Sequence, residues 1–320
     1  MVARVLTAGA IKAHARTLGF DACGVAPAAA HPELAFFSEW LARGYGGDMH
    51  YLARSADKRS DVRNVLPSAK TVIVTATVYN TDRPYSTESV DPERAQIARY
   101  AWGDDYHDVI GSRLDVLLGW MREKSPAPFD ARAYVDTGPV QERVYAQYAG
   151  IGWIGKNTCV ISDRIGSWIF LAELITSLPL AVDAPAVDRC GTCTLCIEAC
   201  PTHAIAAPGV LDSTRCISYL TIEHRGDIPS ERQAGIGSHV YGCDICQEVC
   251  PWNQMAPMST DPAWQPRPAW DARTIGELQQ LPDHELSNAL RGSAMKRTKL
   301  NGLKRNLAIA DRNATQKIGP

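Results

Sequence analysis

The sequence predicts a mixed α/β (α+β) fold in three parts: an α/β domain over residues 1–180, a cysteine-dense segment over 181–257, and a connector with a short basic helical segment over 258–320. Three observations carry this. The run TVIVTATVY at 71–79 is continuously apolar and β-branched, the mark of a buried strand. Eight of the ten cysteines fall between 190 and 250. Proline-bearing stretches without helical period, Leu178 to Asp188 and then Pro262, Pro266 and Pro268 with Trp264 and Trp270, separate the parts.

In chain order, MVARVLTAGAIKAHARTLGF reads as an amphipathic helix ended by Gly19, because glycine readily takes the left-handed conformation that closes a helix. It has no long apolar stretch and no Arg-Arg pair, so it belongs to the mature fold rather than to an export signal. After the strand at 71–79, Asp104 to Glu123 sets Val109, Ile110, Leu114, Leu117 and Leu118 at helical spacing. Ala131 to Val135 is a short strand ending in Asp136-Thr137-Gly138-Pro139, and a helix from Pro139 to Ala149 follows, stopping at Gly150. Cys159–Ser162 and Ser167–Leu174, joined by Asp163-Arg164-Ile165-Gly166, are expected to form a β-hairpin. Helical patterns close the chain.

The cysteines are the most specific signal. Cys190, Cys193, Cys196 and Cys200, followed by Pro201, spell C-x2-C-x2-C-x3-C-P, and Cys243, Cys246, Cys250 and Pro251 repeat part of it. In this bacterial ferredoxin-like spacing, three thiolates on one loop grip one cube while the fourth reaches the neighbouring cluster. Cluster one is therefore assigned Cys190, Cys193, Cys196 and Cys250. Counting back from Pro251, the second run should open at position 240, where Val240 stands. Cys216 substitutes, giving cluster two as Cys200, Cys216, Cys243 and Cys246. Zinc favours separated C-x2-C pairs, and disulfide frameworks suit short secreted chains. Neither accounts for four cysteines within eleven residues with proline next in line. Two [4Fe–4S] clusters imply one-electron redox chemistry. Cys23 and Cys159 are left over and read as small buried residues.

Other motifs are weaker. Gly150, Gly152 and Gly155 match G-x-G-x-x-G, but a dinucleotide fingerprint follows a strand and opens a helix. Here a helix precedes it, so tight turns are expected instead. Asp105-Tyr106-His107 with Gly111 approaches D-x-H-x-x-G, a cobalt-ligand pattern, with the glycine one residue late and the stretch inside a helix; His107 reads as a half-buried helical residue. Asp136 sits where a strand gives way to a helix. A helix cap and a carboxyl kept protonated as an acid both stay open there.

Apolar content of 45% and charged content of 21% are ordinary for a globular protein. No window approaches the ~18 apolar residues of a membrane span, so no membrane partner is expected, and oxygen-sensitive clusters point to the cytoplasm. The net charge of −2 hides an asymmetry: from Arg291 on there are eight basic residues against one acid, so this end carries +7 and the rest −9. Such a run neutralises phosphates or is simply a solvated face.

Together these stretches resemble the epoxyqueuosine reductase family, cobalamin-dependent enzymes of tRNA modification. The likeness runs through Tyr51-Leu52-x-Arg54 to Lys58-Arg59, Ala98-Arg99-Tyr100-Ala101, Asp104-Asp105-Tyr106-His107, Tyr134-Val135-Asp136-Thr137, Gly152-Trp153-Ile154-Gly155-Lys156-Asn157, Gly166-Ser167-Trp168, both cysteine runs, Cys216-Ile217-Ser218-Tyr219-Leu220-Thr221, and Cys250-Pro251-Trp252-Asn253. It implies a front domain that binds cobalamin, like that of reductive dehalogenases, fused to the two-cluster module. It implies an oxidoreductase that reduces the epoxide of epoxyqueuosine at the wobble position of the tRNA anticodon to queuosine, with Asp136 as proton donor. By the same likeness Arg59, Arg99, Lys156, Asn157 and Ser167, with Asp136, are candidates for the corrin site. Lys296, Arg297, Lys304 and Arg305 would meet tRNA phosphates. An unidentified electron donor is implied, and a monomer is expected. Three other readings remain: a corrinoid dehalogenase, which leaves the basic end without purpose; an electron carrier, which leaves 180 residues unexplained; and a nucleic-acid-binding protein whose clusters only staple the fold.

Overall fold

The computed structural model describes residues 6–89 and 91–318; residues 1–5 of the expected opening helix lie outside them. Thr7 accepts a hydrogen bond from the Ala10 amide and caps helix α1, Ala8–Thr17, and Gly19 at φ +87° turns the chain out of it. Strand β1, Ala22–Pro27, follows, then β2, Thr71–Val78, every residue of which is buried. Both faces of β2 are covered, which is why its sequence shows no polar alternation. Asp105 caps helix α2, Tyr106–Lys124, by accepting from the His107 amide. Strand β3, Ala131–Tyr134, leads through Asp136 to helix α3, Glu142–Tyr148, and strand β4, Ile169–Thr176, completes one antiparallel sheet in the order β1-β2-β4-β3.

Helices α1 and α2 cover one face of this sheet, packing Ile11, Ala15, Leu114, Leu117 and Met121 on Val25, Ile73, Ala172 and Leu174. Helix α3 covers the other, with Val144, Tyr145 and Ala146 on Val72, Val74, Leu171 and Ile175. Ile73 and Leu174 oppose each other in register and are wholly buried, contributing roughly 1.5–3 kcal/mol each by leaving water.

The expected hairpin does not form. Val160–Ile161 pairs with Trp153–Ile154, and only a single bridge, Ser162 to Gly166, links it to the loop before β4. The two segments take different partners: β4 runs between β2 and, over Glu173–Thr176, β3, while Val160–Ile161 turns to Trp153–Ile154. The G-x-G-x-x-G stretch is the tight turn it was expected to be: Gly150 leaves α3 at φ +71°, and a Cβ on Gly152 would lie 2.3 Å from the Ile161 carbonyl oxygen.

Strand His239–Tyr241 pairs in parallel with Gln96–Ile97, which stitches the cysteine segment to the front domain. Helix α4, Lys299–Ile318, closes the chain, packing Leu303, Leu307 and Ala310 around Val240 and Ile97. Asn306 Nδ2 on α4 donates to the Thr221 and Val240 carbonyls. The front domain and the second set of cysteine loops thus meet around a central cavity, with the last helix packed behind the strand that joins them.

Candidate active site

Asp136 stands at the joint between β3 and α3, and the backbone there is strained. Its φ is +57°, and the Thr137 amide donates back to the Val135 carbonyl, closing a γ-turn around it. A γ-turn with positive φ is rare and strained, and such strain persists where surrounding structure dictates it. The turn aims the carboxylate at α2. Tyr106 Oη donates to Asp136 Oδ2 at 2.9 Å, and His107 Nε2 lies 3.4 Å from the same oxygen. The helix-cap reading of Asp136 is not what forms, since α3 begins at Glu142 with Gln141 before it.

Asp105 anchors the other side of the imidazole. It is 1% exposed, accepts from the His107 backbone amide, and lies 2.7 Å from His107 Nδ1. Lys296 Nζ reaches its second oxygen at 2.6 Å. Burial alone would lower the pKa of His107, but hydrogen bonds to Asp105 and Asp136 and their charges outweigh it, raising it to about 9. Burial likewise pushes Asp136 up, but the His107 and Tyr106 hydrogen bonds and the charges of His107 and Arg143 pull its pKa below the ordinary value. The two shifts run in opposite directions and favour the proton on His107 over Asp136.

Two hollows meet at this group. An inner cavity of about 350 Å³ extends from Asp136 to Cys200, Cys216, Cys243 and Cys246. An outer cleft of about 730 Å³ runs from Asp136 to Arg59, Lys296 and Arg297. Tyr100, Tyr106, Asp136 and Ile222 line both. Cys190, Cys193, Cys196 and Cys250 ring a separate hollow of about 110 Å³.

The thiols influence one another in the same two groups. After burial, Cys190 and Cys193 push Cys196 up, while Cys190 and Cys196 act on Cys250, which reaches about 11. Cys200 acts on Cys216, and Cys216 on Cys243. Among the described residues no three His, Cys, Asp or Glu side chains gather closely enough to hold one metal ion. Sulfurs spread around a hollow suit a cube of four irons better than a single zinc. Trp153 Nε1 to Cys190 Sγ and the Ala204 amide to Cys200 Sγ add hydrogen bonds of the kind that tune cluster potentials. A corrin also suits the residues present. The inner cavity abuts the second cysteine group and has an aromatic, hydroxylated wall with no imidazole in it, while the one imidazole of the adjoining outer cleft, His107, is engaged by Asp105 and Asp136.

Residues 59–137 match the family model described as epoxyqueuosine reductase QueG, DUF1730, and residues 189–253 match a 4Fe-4S double cluster binding domain. Epoxyqueuosine reductase from Xanthomonas campestris is 41% identical over 311 residues, covering 96% of this chain and 87% of that protein. The one from Gloeobacter violaceus is 43% identical over 314 residues, covering 95% of each. The chain belongs to the epoxyqueuosine reductase family. A crystal structure of an epoxyqueuosine reductase with an epoxyqueuosine-modified tRNA-Tyr stem loop is similar with a TM-score of 0.86 and 31% identity, over 95% of this chain and 80% of that one. The Bacillus subtilis epoxyqueuosine reductase, solved with its aspartate catalytic loop swung out of the active site, gives 0.84 at 31% identity over the same shares. The double cluster domain of this family member spans all eight assigned cysteines.

The corrin candidates are divided by the fold. Asn157 and Ser167 line the inner cavity, and Arg59 lines the outer cleft, tied to Ser55 Oγ and the Val140 carbonyl. Arg99 does not face either hollow: it is 2% exposed and donates to the carbonyls of Thr81 and Arg83. Lys156 clamps the first cysteine loop through the carbonyls of Gly191 and Cys193. Among the basic residues of the C-terminal end, Lys296 and Arg297 flank the cleft, Lys304 pairs with Asp283 at 2.7 Å, and Arg305 donates to the carbonyls of Leu220, His224 and Gly226. The sequence reading missed Asp105, Tyr106 and His107 as partners of Asp136. The Asp-x-His step at the head of a helix was the available signal, because a capping aspartate holds the side chain two residues on.

Proposed function

We propose that this chain reduces the epoxide of epoxyqueuosine at the wobble position of tRNA to queuosine, with Asp136 delivering protons in a hollow that joins the second cluster to the basic mouth. That continuous hollow is the observation that carries the reading. An electron carrier needs no such cavity, and a dehalogenase has no use for a cationic mouth. When bound, cobalamin supplies the reducing cobalt centre that opens the epoxide; Arg59 would hold it from the outer cleft, and Asn157 and Ser167, which already donate to the Cys246 carbonyl and to Gln247, would shape the inner wall against it. The base enters splayed from the anticodon. The Bacillus subtilis relative, whose aspartate catalytic loop can stand outside the active site, supports the same role for the strained Asp136 turn. Epoxide opening leaves an alkoxide, and Asp136 passes it the proton held by His107. Among the described residues no helix is long and apolar enough to cross a membrane. We place the chain in the cytoplasm as a monomer fed by an unidentified one-electron donor. Anaerobic turnover of epoxyqueuosine-bearing tRNA tests the whole reading; protein loaded with clusters and cobalamin that leaves the epoxide intact overturns it.

The charge on His107 sets the alkaline limb of activity. The reading requires a protonated imidazole, so kcat/KM should hold below about pH 9 and fall above it. Asp105→Asn removes the first of the two groups that raise this pKa, so the limb should move toward the ordinary value near 6.5. The stability linked to His107 has the same sign: its folded pKa is raised, so the contribution is complete below about 6.5 and fades as pH rises through about 9. An unmoved limb in the variant assigns the proton store elsewhere.

The basic residues should separate in a tRNA titration. Lys296→Ala with Arg297→Ala should weaken binding and flatten the logarithmic salt dependence by roughly 0.7–0.9 for each phosphate left without its cation. Lys304→Ala should leave affinity unchanged, because all three cations have acidic partners but only Lys296 and Arg297 line the cleft. Equal losses from both changes would return the pair at the mouth to a general surface field.

A further inference from the structure

Glu173 is an acid in an apolar place. It sits in the middle of β4, between Leu171 and Ile175 on the face covered by α3, with Val74 and Tyr134 directly across in register. It is 1% exposed, and its Oε1 meets no donor. The polar partner the fold offers is Glu142, the first residue of α3, which also lines the inner cavity with Asp136. Two carboxylates cannot hydrogen-bond to each other, since neither has a proton to donate. Facing each other out of water, they hold one between them.

We propose that Glu142 and Glu173 form a proton-sharing carboxyl pair that recharges Asp136, supplying the second of the two protons that each epoxide reduction consumes. The proposal rests on the reading of the chain as an epoxide reductase. Conversion of the epoxide to the alkene takes two electrons and two protons and releases the oxygen as water. The clusters carry the electrons, one at a time, from the external donor. His107 stores one proton, and nothing else in the Asp105–His107–Asp136 array carries a second. In the proposed step the O–H bond of Glu142 breaks, an O–H bond forms on Asp136 within the cavity they share, and solvent later returns the proton to the pair.

The groups around the pair favour a retained proton. Burial and then the charge of Asp136 raise Glu142 to about 7, with Arg143 on its own helix and Arg59 from Ala56–Ser60 pulling the other way. Burial and then Glu142 and Asp136 push Glu173 well above the ordinary carboxyl range. No cation faces Glu173 as directly as Asp105 faces His107. The pair titrates as a unit, not as two separate acids.

The test begins with the resting protein. Infrared difference spectra over pH 5–9 should show a protonated carboxyl band that titrates near neutral pH and disappears in Glu142→Gln/Glu173→Gln. The double variant keeps a neutral hydrogen-bonded pair and the same volume. In turnover it should lower kcat at least tenfold, leave KM for tRNA unchanged, and erase a limb of kcat near pH 7, set by recharging after the first proton is spent, while the His107 limb of kcat/KM near pH 9 stays. A wild-type spectrum with no such band overturns the proposal without recourse to any variant. So does a double variant with normal kcat and an unchanged pH profile. If the band titrates as described but wild-type protein leaves the epoxide untouched, the epoxide reading fails, and with it the use proposed for the pair.

Discussion

Asp136→Asn should lower kcat for epoxide reduction by about 10²–10⁴-fold, the span lost when a positioned proton donor is removed, while both clusters and cobalamin stay bound. The substitution is nearly isosteric. It keeps a side-chain oxygen to accept from Tyr106, so the γ-turn and the position of the α2 head should persist. What it removes is the ability to take a proton from His107 and release it to an alkoxide. Asp105 continues to hold the imidazole at 2.7 Å, so the proton store remains full but cannot be discharged. The expected signature is therefore a fall in kcat with little change in tRNA affinity, the pattern of an interaction made only in the transition state. His107→Gln should fall less steeply and should lose the alkaline limb altogether, because Asp136 can then be charged only from the cavity. Iron content and the visible spectrum of bound cobalamin serve as controls. Full activity in Asp136→Asn, with both controls intact, would remove Asp136 from the proton path and leave Tyr106 as the remaining donor on that wall.

What could be read in the chain beforehand, and what could not, follows from the range of the forces involved. The two-cluster segment was legible because the cysteine spacing within each loop signals it, whereas the places of Cys200, Cys216 and Cys250 depend on which loops meet across the fold. The strand at 71–79 was legible because a segment covered on both faces must be apolar throughout. Ile169–Thr176 carried the same information, and Glu173 within it was a visible anomaly whose meaning required knowing that Glu142 lies opposite. The hairpin failed because a strand's partner is settled by the whole fold: β4 pairs with β2 and β3 from far away in sequence, and Val160–Ile161 pairs with Trp153–Ile154 instead. The basic residues were the least legible. Charge says that Arg99, Lys156 and Arg305 need acceptors, but backbone carbonyls answer that need as well as a corrin or a phosphate does, and the fold supplied carbonyls. Asp136 lay between these cases. Its position at a strand end was evident, whereas the lowering of its pKa depends on His107, contributed by a helix that begins thirty residues earlier.

Cys216→Ala should cost a whole cluster and with it all turnover. The intact chain should hold about eight irons, and the variant about four, since a cube needs its fourth thiolate. The lost cube is the one that matters for chemistry, because Cys200, Cys216, Cys243 and Cys246 form the wall of the cavity that also contains Asp136, whereas Cys190, Cys193, Cys196 and Cys250 ring a hollow away from it. Cluster one can still be reduced by a donor, but its electrons then have no carrier on the cavity side. Cys159 provides the decisive control. It lines the same cavity and hydrogen-bonds Cys246, which lowers its pKa to about 7 against the push of burial, so it is the one other thiol placed to complete the second set. If Cys216 is the ligand, Cys159→Ala retains about eight irons and turnover continues; Cys23→Ala, in β1 with its thiol pushed by burial to about 12, does the same. If instead Cys159→Ala drops to about four irons while Cys216→Ala keeps eight, the ligand set must be redrawn. The second cube would then be anchored to the turn before β4 rather than to the helix Ile217–Ile222, and the electron path would enter the cavity from the side of Asn157.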